Sequence, residues 1–161
     1  MKNEQVFDEI FRTHYPKVFR LCKGYFNGNE DLAADSAQET FIKVWQNLHS
    51  FRGESQLSTW IYRIAVNHCL TLLRKKKRKQ EVSADHLIEF VQEDSPDNKE
   101  EKFADMYACI QQLDPADRMI ILMTLEAVSY PEIAAVIGIE EGNLRVRIHR
   151  IKKGLIKCVQ V

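Results

Sequence analysis

Apolar residues recur every three to four positions along most of this chain, and no stretch alternates apolar and polar residues as a half-buried strand would. The chain has 161 residues but only 6 Gly and 4 Pro, which leaves long uninterrupted segments that favour helices. The periodic segments predict helices over about residues 4–25, 29–48, 58–79, 103–112, 115–126, 130–137 and 140–158.

Several boundaries in the first half carry local signals. Pro16 lies inside the first periodic segment, so we expect a kink or a restart near Tyr15–Pro16. The run Asn27-Gly28-Asn29 predicts the turn that follows. Ser58 or Thr59 is expected to cap the third helix.

The second half contains stronger start signals. Asp114 followed by Pro115 predicts a helix with an acidic cap and proline at its first position. Ser129 and Glu132 fit a capping box, in which the serine caps the helix and the glutamate reaches back. Gly138 is the expected turn residue between this short helix and the last one.

The composition changes between the two halves. Residues 80–101 are polar and acidic, and they predict a flexible linker with one short helix near His86–Gln92. The predicted fold is therefore all-α, with two small helical domains over residues 1–79 and 102–161. The second domain contains a helix-turn-helix.

The net charge is zero, with 23 Lys+Arg and 23 Asp+Glu, but the charges are unevenly placed. Residues 1–78 hold 13 basic and 8 acidic residues, residues 79–102 hold 3 and 8, and residues 103–161 hold 7 of each. A basic segment is thus followed by an acidic one. Local charge governs contact with a polyanion, so a neutral total does not exclude nucleic-acid binding.

The four cysteines lie far apart in the sequence, at positions 22, 69, 109 and 158. Their spacing matches no zinc motif, and in a reducing cytoplasm we expect buried thiols rather than disulfides. No run of 18 uncharged apolar residues predicts a membrane span, and the polar N-terminus is unlike a secretory signal. We therefore expect a cytoplasmic protein with no membrane insertion, metal or cofactor.

The strongest functional pattern is the helix-turn-helix over residues 129–153, because a capped short helix, a glycine turn and a basic helix follow one another. In such motifs the second helix enters the major groove of DNA. Its apolar residues Leu144, Ile148, Ile151 and Leu155 should face the core. Arg and Asn side chains can pair with base edges, so DNA reading is favoured over an ordinary solvated helix face. The candidate DNA-contacting residues on this helix are Asn143, Arg145, Arg147, His149, Arg150, Lys152 and Lys153.

Two further patterns precede it and are ambiguous from the residues alone. Over residues 51–78, aromatic residues precede and overlap a helix that ends in a basic run. Such aromatic and basic residues suit unstacked bases and phosphates, but they equally suit a hydrophobic core and a solvated helix end. An acidic, amide-rich face over residues 31–47 suggests a protein partner, although an ordinary amphipathic helix fits as well.

Together and in this order, these segments resemble the extracytoplasmic-function (ECF) sigma factors of bacterial RNA polymerase. Asp31–Trp45 resembles the family's D-x-x-Q-E-x-F-x-x-x-W core-binding helix of region 2. Phe51–Ser55 and Leu57–Asn67 resemble its F-R-G-E-S and T-W-L-Y-R-I-A-x-N segments. Ser129–Ala134 and Arg145–Arg150, with Gly138-Ile139 between them, resemble the helix-turn-helix of region 4. The similarity covers nearly the whole chain except the linker.

The resemblance implies a non-enzymatic role. The factor would bind core RNA polymerase through its β′ clamp and β flap, recognise the −10 and −35 elements of promoter DNA, help to open it, and be held by an anti-sigma factor. The implied polymerase contacts are Asp31, Asp35, Gln38, Glu39, Phe41 and Trp45. The implied −10 contacts are Phe51, Ser58, Thr59, Trp60, Arg63, Asn67, Arg74, Lys75, Lys76, Lys77 and Arg78. The implied −35 contacts are Ser129, Tyr130, Asn143, Arg145, Arg147, His149, Arg150 and Lys153.

Three other functions compete with this interpretation. A stand-alone helix-turn-helix regulator explains residues 102–161 but leaves residues 51–67 without a role. An enzyme of nucleic acids lacks support, since the sequence contains no glycine-rich phosphate loop, metal-ligand cluster or nucleophile motif. The basic helix-turn-helix argues against a pure adaptor such as an anti-sigma factor.

Overall fold

A computed structural model describes the backbone of residues 2–82 and 98–160 and the side chains of residues 2–75 and 104–160. Over these ranges the chain is helical and contains no strand. The helices are α1 (Lys2–Tyr25), α2 (Glu30–Asn47), α3 (Leu57–Val82), α4 (Asn98–Gln111), α5 (Pro115–Leu125), α6 (Tyr130–Ile137) and α7 (Glu141–Gln160), with a short 3-10 turn at Leu48–Ser50. The all-α prediction is confirmed.

The first helix continues through Pro16, so the expected restart does not occur. Proline in a helix interior removes one backbone hydrogen bond. Residues on both sides of it, including Ile10, Val18 and Leu21, are buried in one core. We infer that this shared packing holds the helix together across the proline.

Helices α1, α2 and α3 form the first packing unit, around fully buried residues such as Leu21, Tyr25 and Ile61. Helices α4 to α7 form the second, around Met119, Ile133 and other apolar side chains. The two units also pack against each other, because α1 contacts α5 and α3 contacts both α5 and α6.

The helix ends confirm some boundary signals and correct others. Asn29 caps α2 by accepting the amide of Leu32 at 3.1 Å. The third helix begins at Leu57, so Ser58 and Thr59 lie inside its first turn and do not cap it. Asp114 occupies the cap position of α5, but its side chain makes no capping hydrogen bond.

The predicted linker is shorter than expected at both ends, since α3 extends to Val82 and α4 begins at Asn98. The predicted short helix near His86–Gln92 lies outside the described residues.

The cysteine expectation is wrong for one pair. Cys109 in α4 and Cys158 in α7 form a disulfide, with their Cα atoms 6.0 Å apart. The packing of α4 against α7 brings together two positions that no local spacing rule connects. Cys22 and Cys69 are buried thiols as expected, with their Sγ atoms 3.7 Å apart.

Candidate nucleic-acid interface

The predicted helix-turn-helix is present in α6 and α7. Ser129 caps α6 by accepting the amide of Glu132 at 3.4 Å. Gly138 ends α6 with φ of 85°, a left-handed conformation that glycine adopts without a steric penalty. These two local devices fix the short helix and the turn that together orient α7.

Helix α7 presents two faces, as its apolar spacing predicts. Leu144, Ile148, Ile151 and Leu155 are buried in the core. The predicted DNA-contacting residues that remain exposed on α7 are Asn143, Arg145, His149, Arg150 and Lys153. This solvent-facing side therefore carries amide, imidazole, guanidinium and ammonium groups.

Arg145 links the starts of the two helices. Its Nη2 donates to Glu141 Oε1 at 2.8 Å, and its guanidinium carbon lies 5.1 Å from the centre of the Tyr130 ring. The arginine is thus held in place from both helices, which reduces the side-chain entropy lost when it contacts a partner.

Arg147 does not belong to the exposed face. Its Nε donates to Asp117 Oδ1 at 2.5 Å, its Nη2 lies 3.6 Å from Asp114 Oδ2, and its side chain is only 26% exposed. The structure therefore ties Arg147 to the start of α5. This placement conflicts with its predicted role in base recognition. Helical spacing puts Arg147 on the same face as Asn143 and Arg150, but spacing alone does not show that α5 packs beside it.

The aromatic residues before and within α3 form a pair. The ring centres of Phe51 and Trp60 lie 4.9 Å apart at an angle of 30°, and both side chains are half-buried. Asn67, Arg74 and Lys75 are exposed further along α3. The side chains of the remaining predicted basic residues, Lys76, Lys77 and Arg78, lie outside the described part of the chain.

Three other predicted −10 residues contact the second half of the chain. Ser58 Oγ and Thr59 Oγ1 donate to Glu132 Oε1 at 2.5 and 3.2 Å. Arg63 Nη2 donates to the carbonyl oxygen of Ala135 at 2.9 Å. Thr59 is buried, at 4% exposure. The structure thus places α6 over these α3 side chains.

Sequence reasoning missed this role of Glu132. The capping box predicts that its carboxylate reaches back to its own helix start, whereas the carboxylate accepts bonds from α3 instead. No local signal could have found this contact, because the partners lie 73 and 74 residues away.

The predicted polymerase-facing residues of α2 divide into two groups. Asp31, Asp35, Gln38 and Glu39 are exposed and form a polar face. Phe41 is 2% exposed and belongs to the core, so in this arrangement it lies beneath the exposed face.

Trp45 is 45% exposed, and its ring packs edge-on against Phe7 at 5.2 Å. Ile42 on the same helix is 48% exposed, and no sequence pattern marks it as a surface residue.

Burial shifts the pKa of several side chains. It raises the pKa of Tyr25 to about 12 and that of Tyr62 to about 12, and nearby Glu132 adds to the shift of Tyr62. Burial also lowers the pKa of His14 and of His68, with Lys17 and Lys43 adding to the respective shifts.

Within the described ranges, no group of three His, Cys, Asp or Glu side chains is placed to hold a metal ion. In that same part of the chain, no helix is long and apolar enough to cross a membrane.

Comparison with known sequences decides the family. Residues 10–79 match Sigma-70 region 2, and residues 103–155 match Sigma-70 region 4. The chain is 32% identical to the ECF RNA polymerase sigma-E factor of Escherichia coli K12, covering 98% of this chain and 88% of that relative. The chain belongs to the ECF sigma factors.

Two further relatives agree with this assignment. This sigma factor is 31% identical to the RNA polymerase sigma-H factor of Pseudomonas aeruginosa, over 98% of this chain and 88% of the relative. It is 32% identical to the ECF RNA polymerase sigma factor SigE of Mycolicibacterium smegmatis. That match covers 92% of this chain but only 59% of the longer relative.

Solved structures show the same fold. The sigma factor RpoE of Bartonella quintana, crystallised with the anti-sigma factor NepR, matches with a TM-score of 0.78 at 24% identity, over 98% of both chains. CnrH, in complex with the cytosolic domain of CnrY, matches with a TM-score of 0.74 at 21% identity, over 98% of this chain and 89% of CnrH.

Proposed function

We propose that this sigma factor binds core RNA polymerase, directs it to promoters by recognising the −10 and −35 elements, and helps to open the DNA. The observation that carries the proposal is that one chain contains matches to both region 2 and region 4, in that order. The first would hold the opened DNA strand, and the second contains the helix-turn-helix. We assign the two tasks to residues 1–79 and 102–161, with residues 80–101 as the connection.

The exposed face of α2 is the proposed docking surface for the β′ clamp. Asp35, Gln38 and Glu39 supply charge and hydrogen-bond acceptors, and Asp31 extends the acidic end. Trp45 adds a large, partly exposed aromatic surface of the kind that dominates binding energy at protein interfaces. Phe41 supports this face from the core, and we expect the second domain to contact the β flap.

The strand-holding surface lies along α3. A base that leaves its stack costs a few kcal/mol, which pocket contacts must offset. The half-buried pair Phe51 and Trp60 offers aromatic faces for such a base, and Asn67 offers an amide for its edge. Arg74 and the basic run after it would hold phosphates without reading sequence.

The exposed side of α7 is the proposed reader of the −35 duplex. Asn143 and Arg150 can pair with adenine and guanine edges, respectively, in the major groove. Lys153 suits a backbone phosphate. Ser129 and Tyr130 lie at the start of α6, the helix that crosses the DNA backbone in this motif.

The partners and location follow from this task. The solved relatives were captured with an anti-sigma factor and with the cytosolic domain of CnrY. We propose that an anti-sigma protein likewise holds this factor, and that the factor works in the cytoplasm on the polymerase. It initiates transcription without catalysing a reaction itself, so no cofactor is assigned.

Run-off transcription with purified core polymerase and a promoter library tests the proposal. Transcripts should start at defined promoters only when the factor is present, and Asn67→Ala should reduce the preference for −10 sequences. Lys17→Ala, which changes an exposed residue of α1 outside the proposed surfaces, is the control. Duplex binding by the chain alone, without affinity for core polymerase, would instead identify a stand-alone regulator.

A further inference from the structure

The solvent-facing side of α7 carries an apolar side chain among its polar ones. Val146 is 70% exposed, more than any other large hydrophobic residue among the described side chains. It stands between Arg145 and Arg147 in the sequence, and it belongs neither to the core nor to the −35 contacts assigned above. Its position on the helix decides what it can contact.

Helical geometry puts Val146 at the centre of the side opposite the core. At about 100° of rotation per residue, it points away from the buried apolar side of α7. Asn143 and Arg150 lie on one flank of it and His149 on the other, and Lys153 follows two turns later almost in line. A duplex that contacts these polar groups must therefore also meet Val146.

Gly142 leaves the methyl groups of this valine uncovered. A helical side chain leans over the turn that precedes it, so Val146 projects toward Gly142, four residues earlier. Both residues are exposed, and a Cβ atom at Gly142 would meet nothing within 4 Å. An open apolar surface thus lies near the start of α7, the end whose residues contact base edges in a helix-turn-helix.

The four bases differ in what they offer to such a surface in the major groove. Thymine presents a methyl group at C5, which the edges of the other three bases lack. Valine placed against an amino or carbonyl group removes water from that group and offers no hydrogen bond in return. Contact with a thymine methyl instead buries apolar surface on both sides. An apolar residue here therefore favours thymine and disfavours its competitors.

The charges around Val146 favour DNA over a protein as the partner of this surface. Arg145, Arg150 and Lys153 are exposed within two turns of it. Glu141, the acidic residue of this helix, is paired with Arg145 at 2.8 Å. Cationic groups around an apolar centre complement the phosphates that border the major groove.

We propose that Val146 is a specificity-determining residue of this factor and packs against the C5 methyl of one thymine in the −35 duplex. The proposal rests on the proposed function, because it takes α7 as the helix that contacts this duplex. It adds the identity of one base that the −35 elements of this factor contain. Asn143 and Arg150 beside it supply polar contacts to neighbouring bases.

Promoter selection tests which base Val146 favours. Core polymerase is combined with the native chain or with Val146→Ala, and each holoenzyme is given promoters with a randomised −35 region. The native holoenzyme should recover thymine at one position, and the variant should lose that preference alone. Burial of one methyl group changes affinity by about fourfold, so the preference should fall by about that factor. A native element without a preferred thymine, or an unchanged preference in the variant, would overturn the proposal.

Removal of single methyl groups from the DNA tests the contact itself. Deoxyuridine in place of thymidine deletes only the C5 methyl, and each thymine of the selected −35 element is replaced in turn. One replacement should weaken promoter binding by the native holoenzyme about fourfold. The same replacement should have no effect on the Val146→Ala holoenzyme. An equal loss in both would show that another residue contacts the methyl, and the proposal would be wrong.

Ile156→Ala is the matched control. Ile156 is a 57% exposed aliphatic residue of the same helix, about 15 Å along the axis from Val146. This variant should keep the full sensitivity to deoxyuridine, and its loss there would count against a specific contact by Val146. Val146→Ala changes an exposed position to a residue of higher helix propensity, so it should fold as the native chain does.

Run-off transcription distinguishes failure of this inference from failure of the proposed function. The proposed function fails only if the native factor directs no transcription with core polymerase. A factor that selects promoters but shows no methyl effect dependent on Val146 retains the proposed function and loses only the thymine contact.

Discussion

At the scale of single residues, neighbouring positions on α7 have different tasks. Arg147 is held against α5 by Asp117 and Asp114, whereas Arg150, one turn further along, is exposed. Both are arginines on a basic helix. Because α5 packs beside Arg147, the guanidinium of Arg147 has a structural role, whereas that of Arg150 is free to contact DNA.

These two arginines should respond differently to truncation. Arg147→Ala removes a partly buried ion pair, so it should lower the free energy of unfolding by about 1–2 kcal/mol. Arg150→Ala should leave stability nearly unchanged and weaken binding to a −35 duplex by about 1–3 kcal/mol. Urea unfolding and duplex titration measure the two effects. Equal loss of stability in both variants would contradict the assignment.

Tyr25 gives the protein a sensitivity to alkaline pH. Burial raises its folded-state pKa from 10.0 to about 12, and its hydroxyl has no hydrogen-bond partner among the described residues. A raised folded pKa means that its stabilising contribution is complete below the unfolded pKa. That contribution is lost as pH rises through the folded pKa.

Between pH 10 and about 12, the native protein should therefore lose roughly 2–3 kcal/mol more stability than Tyr25→Phe. At pH 7 the variant should be about as stable as the native protein, because phenylalanine keeps the ring and removes an unpaired hydroxyl. Urea unfolding at several pH values measures this difference. Parallel pH profiles for the two proteins would contradict the explanation.

At the scale of elements, helix packing decides which residues of each amphipathic segment reach the surface. The buried α7 residues agree with the 3.6-residue period, but Phe41 of α2, an expected polymerase contact, is buried. The period identifies an apolar stripe, whereas the width of that stripe depends on how many neighbouring helices cover it.

The disulfide between α4 and α7 gives an element-scale prediction. It closes a loop across 49 positions, and the chain-entropy estimate for such a loop is about 4 kcal/mol. Cys109→Ser with Cys158→Ser should therefore lower the free energy of unfolding by up to about that amount. Urea unfolding with and without a thiol reductant measures it. Reductant should have no effect on the double variant, and a response there would point to the other two cysteines.

At the scale of the whole molecule, the net charge of zero conceals local charge of both signs. The exposed cations on α7 include Arg150, Lys152 and Lys153, and DNA binding depends on such groups rather than on the total. We therefore expect salt-dependent duplex binding from a neutral protein.

Each phosphate contact contributes about −0.9 to the slope of log affinity against log salt concentration. Lys153→Ala should reduce the steepness of the slope by about that amount, whereas Lys17→Ala on α1 should not change it. Anisotropy of a labelled −35 duplex at several salt concentrations measures both. A common slope for all three proteins would exclude a phosphate contact by Lys153.

Prediction from sequence succeeded where the controlling interactions are local. The turn at Gly138 and the cap at Ser129 depend on residues within one turn of helix, and both are present. It failed where the partner is distant. Asp114 forms an ion pair with Arg147 of α7, and Glu132 accepts hydrogen bonds from α3, in place of the expected caps. Cys109 pairs with Cys158.

By itself, the sequence determined the helices, the helix-turn-helix and the family, because periodicity, capping and motif spacing are properties of short segments. Only the tertiary structure decided whether each side chain faces the core, another helix or solvent. The positions of Arg147, Glu132 and the disulfide follow from the packing of helices that lie dozens of residues apart in the chain. The contact between the two halves also follows from helix packing. The residues around each donor and acceptor give no local sequence signal for the distant partner.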